Sequence, residues 1–331
     1  MPIINREEIP DLHQGYIRDA HPEIVEWLGR KSLRLSGENA SLLVLPEICL
    51  EHGQIEVDIA SAGAAYAGIA FRIQDLENYE LAYAQPHTSG LWDALQYDPV
   101  FHGSNTWQLF YGGGAQLAAD VPPQTWFRLR VAFAGEQALI QAGEQPPLLV
   151  NPLAWGCRTG GLGLWTYLPA FFSNLMVRDD LPNFPEIPAT LPLMKDMVTE
   201  WFLEGYGMVK GENNGLINLN RYLPANHKEV KLSRVFFMNE DASLILRIGF
   251  SDEIDLKVDG QTVFTGTNLF HASPNWNERG YVALNDKIAC SLEKGQHRLE
   301  AVLRSTEYFG FGLGLAVEGQ GITWLPAAFG V

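Results

Sequence analysis

The feature that most limits what this chain can fold into is its period of two. Between Gln54 and Ile59, the apolar Ile55, Val57 and Ile59 alternate with Gln54, Glu56 and Asp58. From Ala67 to Gln74, Ile69, Phe71 and Ile73 alternate with polar positions that include Arg72 and Gln74. Successive side chains of an extended chain point to opposite faces, so this spacing gives each segment one apolar face. The same reading predicts strands at Tyr79–Gln85, Ala94–Tyr97, Thr106–Tyr111, Trp126–Ala134, Leu162–Tyr167 and Phe171–Val177. Gly112-Gly113-Gly114, Pro122-Pro123 and Gly160-Gly161 supply turns between several of them. One short helix is expected early, at His21–Leu28.

The texture then changes. Leu181–Pro192 carries Pro182, Pro185, Pro188 and Pro192, a spacing that suits an extended linker and excludes a central strand. Alternation resumes with Leu244, Leu246 and Ile248, then Ile254, Leu256 and Val258 leading into Asp259-Gly260, a hairpin turn followed by Thr262–Thr265. Ile288, Cys290 and Leu292 alternate into another turn, and Leu299, Ala301 and Leu303 follow it. Phe309–Leu315, with glycine at every second position, reads as a last strand rather than a dinucleotide loop. Many short strands with little helix mean sheet on sheet. The expected fold is therefore all-β, two antiparallel β-sandwich (jelly-roll) domains at 1–180 and 198–331, joined by a Pro-rich linker at 181–197.

Composition narrows the partners. The 331 residues hold 39 acidic and 23 basic side chains, a formal charge of −16 with no block of like charges. Binding phosphate needs a clustered basic face, so nucleic acid is not expected, nor is an anionic membrane surface. The opening residues include Glu7 and Glu8 and lack an apolar core, so they do not read as a secretory signal. No apolar run approaches the roughly 20 residues that cross a bilayer. A cytoplasmic location is the expectation. Cys49, Cys157 and Cys290 are odd in number and far apart, which points to buried reduced thiols rather than disulfides or a metal site.

In the order and spacing of its segments, Ser32–Val177 resembles the concanavalin A-like lectin/glucanase superfamily. The matching pieces run from Ser32-Leu33-Arg34-Leu35 through Gly53–Ile59, Gly68–Arg72, Asn78-Tyr79-Glu80, Tyr83–Pro86, Ala94–Tyr97 and Trp126–Val131 to Gly161–Trp165 and Phe172–Leu175. The second half, through Ser251–Gly260 and Leu292–Leu299, is similar to the galactose-binding-like jelly roll often appended to glycosidases. The resemblance implies sandwich folds and admits lectins, laminin-G-like modules and glycoside hydrolases, so the site has to decide between them.

Catalysis is the sharpest test. Laminarinase-like enzymes of the family carry Glu-x-Asp-x-Glu on one strand, and a retaining pair needs carboxyls about 5–5.5 Å apart. Here the run is Glu56-Val57-Asp58-Ile59-Ala60, with alanine in the third carboxylate's place, and Glu253-Ile254-Asp255-Leu256-Lys257 ends on lysine. A solvated strand face is the plainer reading of both. Tyr83, Gln85, His87, Trp92, Gln96, Tyr97 and Trp107 crowd one short span, and Arg72 sits on a nearby strand. Aromatic rings stack on sugar C–H faces while amides and guanidinium groups grip hydroxyls, so these are the candidate ligand-binding residues. Aromatics in a span like this are also ordinary core packing. His271, Trp276 and Arg279 form a second candidate in the other domain. His87 and His102 lack a third ligand for a metal. Asp252, Glu253, Asp255 and Asp259 lack the glycine spacing of a calcium loop, so no cofactor is expected and calcium is unsupported.

The reading from these residues is a carbohydrate-recognition protein without catalysis, binding a glycan on the concave face of the first sandwich. Two alternatives stand beside it. One is a glycoside hydrolase or lyase of unfamiliar type using Glu80 or Glu56 with His87; the other is a protein-interaction module in which oligomerisation buries sandwich faces.

Overall fold

The computed structural model describes residues 2–5, 16–185, 188, 193–224 and 227–326. Antiparallel strands dominate, and three 3-10 turns, at Pro86–Thr88, Leu219–Arg221 and Trp276–Glu278, are the only helical elements among the described residues. The chain divides into two compact units, Met1–Val100 with Phe110–Leu191, and Phe101–Leu109 with Pro192–Val331.

The first unit is built on two sheets. One runs in the order Leu148–Val150, Gln137–Ala142, Phe127–Ala134, Gly53–Ala60, Ala170–Arg178, Arg30–Ser36, His21–Trp27, with Pro2–Asn5 pairing beside Ala170–Arg178. The other runs Asn78–Ala84, Tyr66–Asp75, Gly160–Tyr167, Ser41–Leu50, Tyr16–Arg18, with Leu95–Tyr97 also paired to Asn78–Ala84. Ile55, Val57 and Ile59 from the first sheet and Ile69 and Phe71 from the second are fully buried, and the Phe71 and Phe133 rings meet across the core at 5.2 Å. Each fully buried aliphatic side chain contributes about 1.5–3 kcal/mol. The predicted alternation is therefore the pattern that closes this core.

The second sheet departs from simple alternation. Asn78–Ala84 is buried at every residue but Asn78, because both of its faces are covered. Tyr79, Leu81 and Tyr83 join Leu42, Ala70 and Trp165 in a second apolar cluster on the face turned away from the core.

The second unit pairs Gly207–Lys210, Glu200–Leu203, Glu229–Met238, Gly295–Arg304, Asp252–Val258 and Gln261–Asn268 in one sheet. Ile217–Asn218, Gly312–Glu318, Ala242–Phe250 and Asp286–Leu292 form the other. Leu244, Leu246 and Ile248 meet Leu232, Ile254 and Leu256 in one buried cluster that also holds Trp201. Asp259 and Gly260 have φ of 49° and 77°, the left-handed pair that a tight two-residue hairpin requires.

Three expectations need correction. His21–Leu28 is not a helix: His21–Trp27 is an edge strand hairpinned to Arg30–Ser36 through Leu28-Gly29, whose φ values are 46° and 72°. Its exposed, charged residues hid a period of two carried by Val25 and Trp27. Thr106–Tyr111 is turn and irregular chain rather than strand. Its backbone is satisfied by a local bond from Leu109 N to Thr106 O at 2.9 Å and by Val282 N donating to Gln108 O at 2.9 Å. Of the cysteines only Cys290 is buried; Cys49 and Cys157 are exposed. Cys49 falls next to the strand's last residue and Cys157 in a loop, where no sheet covers them. The expected linker lies partly outside the described residues, Pro192 among them; Leu181–Pro185 has no regular structure.

Candidate functional site

Register builds the site in the first unit. Tyr83 pairs with Gly68 and with Gln96, Gly68 pairs with Trp165, and Tyr66 pairs with Tyr167. Residues paired across strands share a face, so Gln96, Tyr83 and Trp165 form one row over Gly68. A side chain on Gly68 would meet Ala82 O at 2.0 Å and the Tyr83 backbone at 2.6 Å. The absence of one lets the Tyr83 and Trp165 rings close to 5.4 Å. Tyr66 stands next along the same face, 6.0 Å from Tyr83, 5.8 Å from Tyr167 and 4.8 Å from His87.

This corner is the exposed end of the apolar face. Tyr167 is 44% exposed, and His87 lies open on the Pro86–Thr88 turn. The His87 Nδ1–H donates to Ala65 O at 3.1 Å, which fixes the ring beside Tyr66. Gln85 donates through Nε2 to Asp93 O at 2.6 Å and to Gln96 Oε1 at 3.3 Å. The Gln96 amide nitrogen is buried with no hydrogen-bond partner, a donor that costs about 1–3 kcal/mol while unsatisfied. Trp92 is half-buried in the turn that leads back to Leu95–Tyr97.

The other sequence candidates lie elsewhere. Arg72 is fully buried, with its guanidinium donating to the carbonyls of Gly156, Gly135 (2.6 Å) and Glu51 (3.1 Å) and stacked over Phe133. Burial lowers its pKa, and Glu80 works against that fall. In this position it ties three loops together. Tyr97 and Glu80 are on the core side: the Tyr97 hydroxyl donates to Glu80 Oε2 at 2.7 Å, and Trp155 N donates to Glu80 Oε1 at 2.9 Å. Both are fully buried.

Glu56 and Asp58 project from the outer face of the other sheet into a set of arginines. Glu56 accepts from Arg178 Nη2 (2.7 Å), Arg128 Nε (3.0 Å) and Arg130 Nε (3.3 Å). Asp58 accepts from Asn174 Nδ2 (2.6 Å), Arg30 Nη1 (2.7 Å) and Arg128 Nη1 (3.0 Å). Burial by itself would raise the Glu56 pKa, but the bond and charge of Arg128, with Arg178 and Arg130, hold it below the usual carboxylate range. A general acid needs the opposite shift.

Trp107 belongs to the second unit. Its indole meets Phe270 at 5.4 Å, Phe309 at 5.4 Å and Tyr281 at 5.6 Å, and Trp276 packs on Tyr281 at 5.0 Å. Arg279 lies over the Phe270 ring at 5.6 Å, so Trp107, Trp276 and Arg279 share one aromatic cluster. His271 is exposed at its margin, its N–H donating to Glu278 O at 2.9 Å. His102 Nδ1 bonds Asn220 O at 2.7 Å. Three of the four acids considered for calcium are held by separate sets of partners. Asp252 accepts from Thr306 N, Asp255 from Arg304 and Thr265, and Asp259 from His297 and Arg298 N. No group of three or more acidic, histidine or cysteine residues suited to a metal ion occurs among the described residues. No described helix is long and apolar enough to cross a membrane.

Sequence reasoning missed Tyr66, Trp165 and Tyr167. Their common face depends on which strands pair and in what register, which spacing within one segment does not reveal.

No protein-family model matches the chain, and no curated protein does. Among solved structures it is similar to the carbohydrate-binding module CBM66 from Bacillus subtilis, at 14% identity over 50% of this chain and 96% of that one, with a TM-score of 0.40. The Ca2+/Man-bound exoplasmic/lumenal domain of VIP36 matches at 10% identity, covering 56% and 94%, with a TM-score of 0.38. A β-glucanase from Bacillus licheniformis matches at 6%, covering 50% and 98%, with a TM-score of 0.33.

Proposed function

We propose that this protein recognises carbohydrate, and that the first sandwich holds the glycan at the corner formed by Tyr66, Tyr167, His87 and the Gln85–Gln96 amide pair. One observation carries the reading: two tyrosine rings and an imidazole are gathered at the open end of an otherwise covered sheet face, beside an amide donor that has no acceptor. Ring faces supply apolar area for sugar C–H groups, and fixed planar amides set orientation. This site keeps Tyr83, Gln85, His87 and Gln96 from the sequence reading and replaces Arg72, Trp92, Tyr97 and Trp107 with Tyr66 and Tyr167. The binding is non-catalytic in this reading, since Glu56 is held ionised among arginines and Glu80 is turned into the core.

A glycan array followed by calorimetry on the leading sugar tests it. Tyr167→Ala and His87→Ala should each weaken binding by roughly 10-fold, as expected for loss of about 1–2 kcal/mol of stacking, with an unchanged circular dichroism spectrum. Unchanged affinity in both variants would reject the corner, and a blank array with a defined oligomer by light scattering would favour the protein-interaction reading.

A further inference from the structure

We infer a second binding site, on the outer face of the sheet that carries Gly53–Ala60, for a saccharide chain bearing negative charge. The inference stands apart from the aromatic corner, which lies on the other sheet.

Charge is the first argument. Arg30, Arg128, Arg130 and Arg178 converge on two carboxylates, Glu56 and Asp58, within a chain whose formal charge is −16. Glu144 bonds Arg130 from the rim and is 90% exposed, and on the same face Arg34 pairs with Glu23 at 2.9 Å. Five guanidiniums against four carboxylates, two of them largely exposed, leave the face cationic in a chain that is acidic as a whole. Like charges gathered this way repel one another, and an incoming anion relieves that repulsion.

Hydrogen-bond capacity is the second. Glu56 and Asp58 accept five bonds from these guanidiniums, and Asn174 O, Gly143 O, Glu144 Oε1 and Gln54 Oε1 accept one each. Each guanidinium offers five N–H groups and no acceptor. Donors therefore outnumber the acceptors provided, and the ligand that fits is rich in acceptor oxygens. Arg30, Arg178 and Arg130 have side chains 42%, 36% and 32% exposed, so their planes can be reached. Arg128, at 21%, lies beneath as the strut that joins both acids.

The third argument selects a sugar over a bare anion. Trp27 lies parallel on Phe171 at 4.3 Å with 2° between planes, and Arg30 stacks over Trp126 at 5.2 Å. The pairing of Trp27 with Arg30 and of Phe171 with Arg34 places these rings on the arginine side. Both indole N–H groups are buried atoms with no acceptor. Ring planes flanking a guanidinium surface match sugar faces carrying carboxylate or sulfate groups, which pair with arginine bidentately.

The full chain is titrated with polygalacturonate, dextran sulfate, neutral dextran and single-stranded poly(dT), at low and at physiological salt. Polygalacturonate or dextran sulfate should bind, with affinity falling as salt rises, and the better of the two identifies the anionic group as carboxylate or sulfate. Arg130→Gln with Arg178→Gln should lower that affinity by roughly 10-fold or more, whereas Tyr167→Ala should leave it unchanged. If the glutamine pair does not fold, Arg130→Lys with Arg178→Lys is read instead. It keeps the charge, loses the planar fork, and should still lose several-fold in affinity. Acidic polysaccharide bound no better than neutral dextran, affinity untouched by the arginine variants, or poly(dT) bound more tightly than either polysaccharide would each overturn the assignment.

Discussion

The two outer faces of the first sandwich are built on opposite principles. On the sheet through Gly53–Ala60, the outward positions are Glu56, Asp58, Arg128 and Arg130, and the face is held by charge-assisted hydrogen bonds. On the sheet through Asn78–Ala84, the outward positions are Tyr79, Leu81, Tyr83 and Trp165, and the face is held by apolar burial. Arg18 closes part of that second face, donating to the Tyr79 hydroxyl at 3.0 Å; burial still pushes the Tyr79 pKa up to about 12. One sheet therefore follows the polar-out rule of half-buried antiparallel sheets, and the other behaves as a sheet covered on both sides. The difference teaches that alternation reports how many faces of a strand are buried, not whether the strand exists.

Substitutions can break this contrast, beginning on the apolar face. Trp165→Ala removes a ring that is 3% exposed and leaves a cavity beside Tyr83, which should cost about 3–5 kcal/mol, read from urea unfolding. A loss below about 1 kcal/mol would mean that the outer face is not a second core. Arg128→Gln strips both Glu56 and Asp58 of their shared partner, and the same assay should show a smaller loss, about 1–3 kcal/mol. Equal losses in the two variants would erase the distinction between the faces.

The pH dependence sharpens it further, because carboxylates in the two units respond with opposite sign. Asp252, 2% exposed in the second unit, has its pKa raised to about 6 by burial, against the backbone bonds from Thr306 and Glu307. Its proton is bound more tightly in the folded state, so its stabilising contribution is complete below the unfolded value near 4 and is lost as pH rises through about 6. Asp252→Asn should thus raise the stability of the second unit above pH 7 by about 1–2 kcal/mol and flatten its profile between pH 4 and 7. Glu56 is the reverse case. Its pKa is held down by arginines, so its contribution is present above the unfolded value near 4.3 and disappears as pH falls below it. The smallest effect expected is therefore in Glu56→Gln, whose melting temperature should converge on that of the unaltered chain as pH is lowered from 5 towards 3. A difference between them that grows with acid would mean the arginines do not stabilise the ionised form.

Local pattern was legible wherever a strand had one buried face. Leu244, Leu246 and Ile248 and the Asp259-Gly260 turn were readable because alternation and left-handed φ are local properties. His21–Trp27 was misread because it is an edge strand whose Ile24 is 49% exposed, so its charges masked the period. The candidate site was legible only in part. The cluster from Tyr83 to Gln96 was visible as composition, but three neighbours in sequence were dispersed by the fold. Tyr97 turned to the core because it follows Gln96 by one residue, and a one-residue step on a strand reverses the face. Trp107 went to the second unit, and the positive φ of 49° at Arg72 set its guanidinium among loop carbonyls.

The sequence by itself determined the fold class, the turns and the inward residues of the half-buried strands, since these follow from a period of two and from which residues tolerate left-handed backbone. Only the tertiary structure decided that Tyr66 and Tyr167 stand beside His87, that four arginines from three strands meet at Glu56 and Asp58, and that one sheet is covered twice. Those outcomes depend on strand order and register between segments about a hundred or more residues apart in sequence, as Tyr66 and Tyr167 or Glu56 and Arg178 are. Pairing energy of that kind belongs to no single segment, so no local pattern carries it.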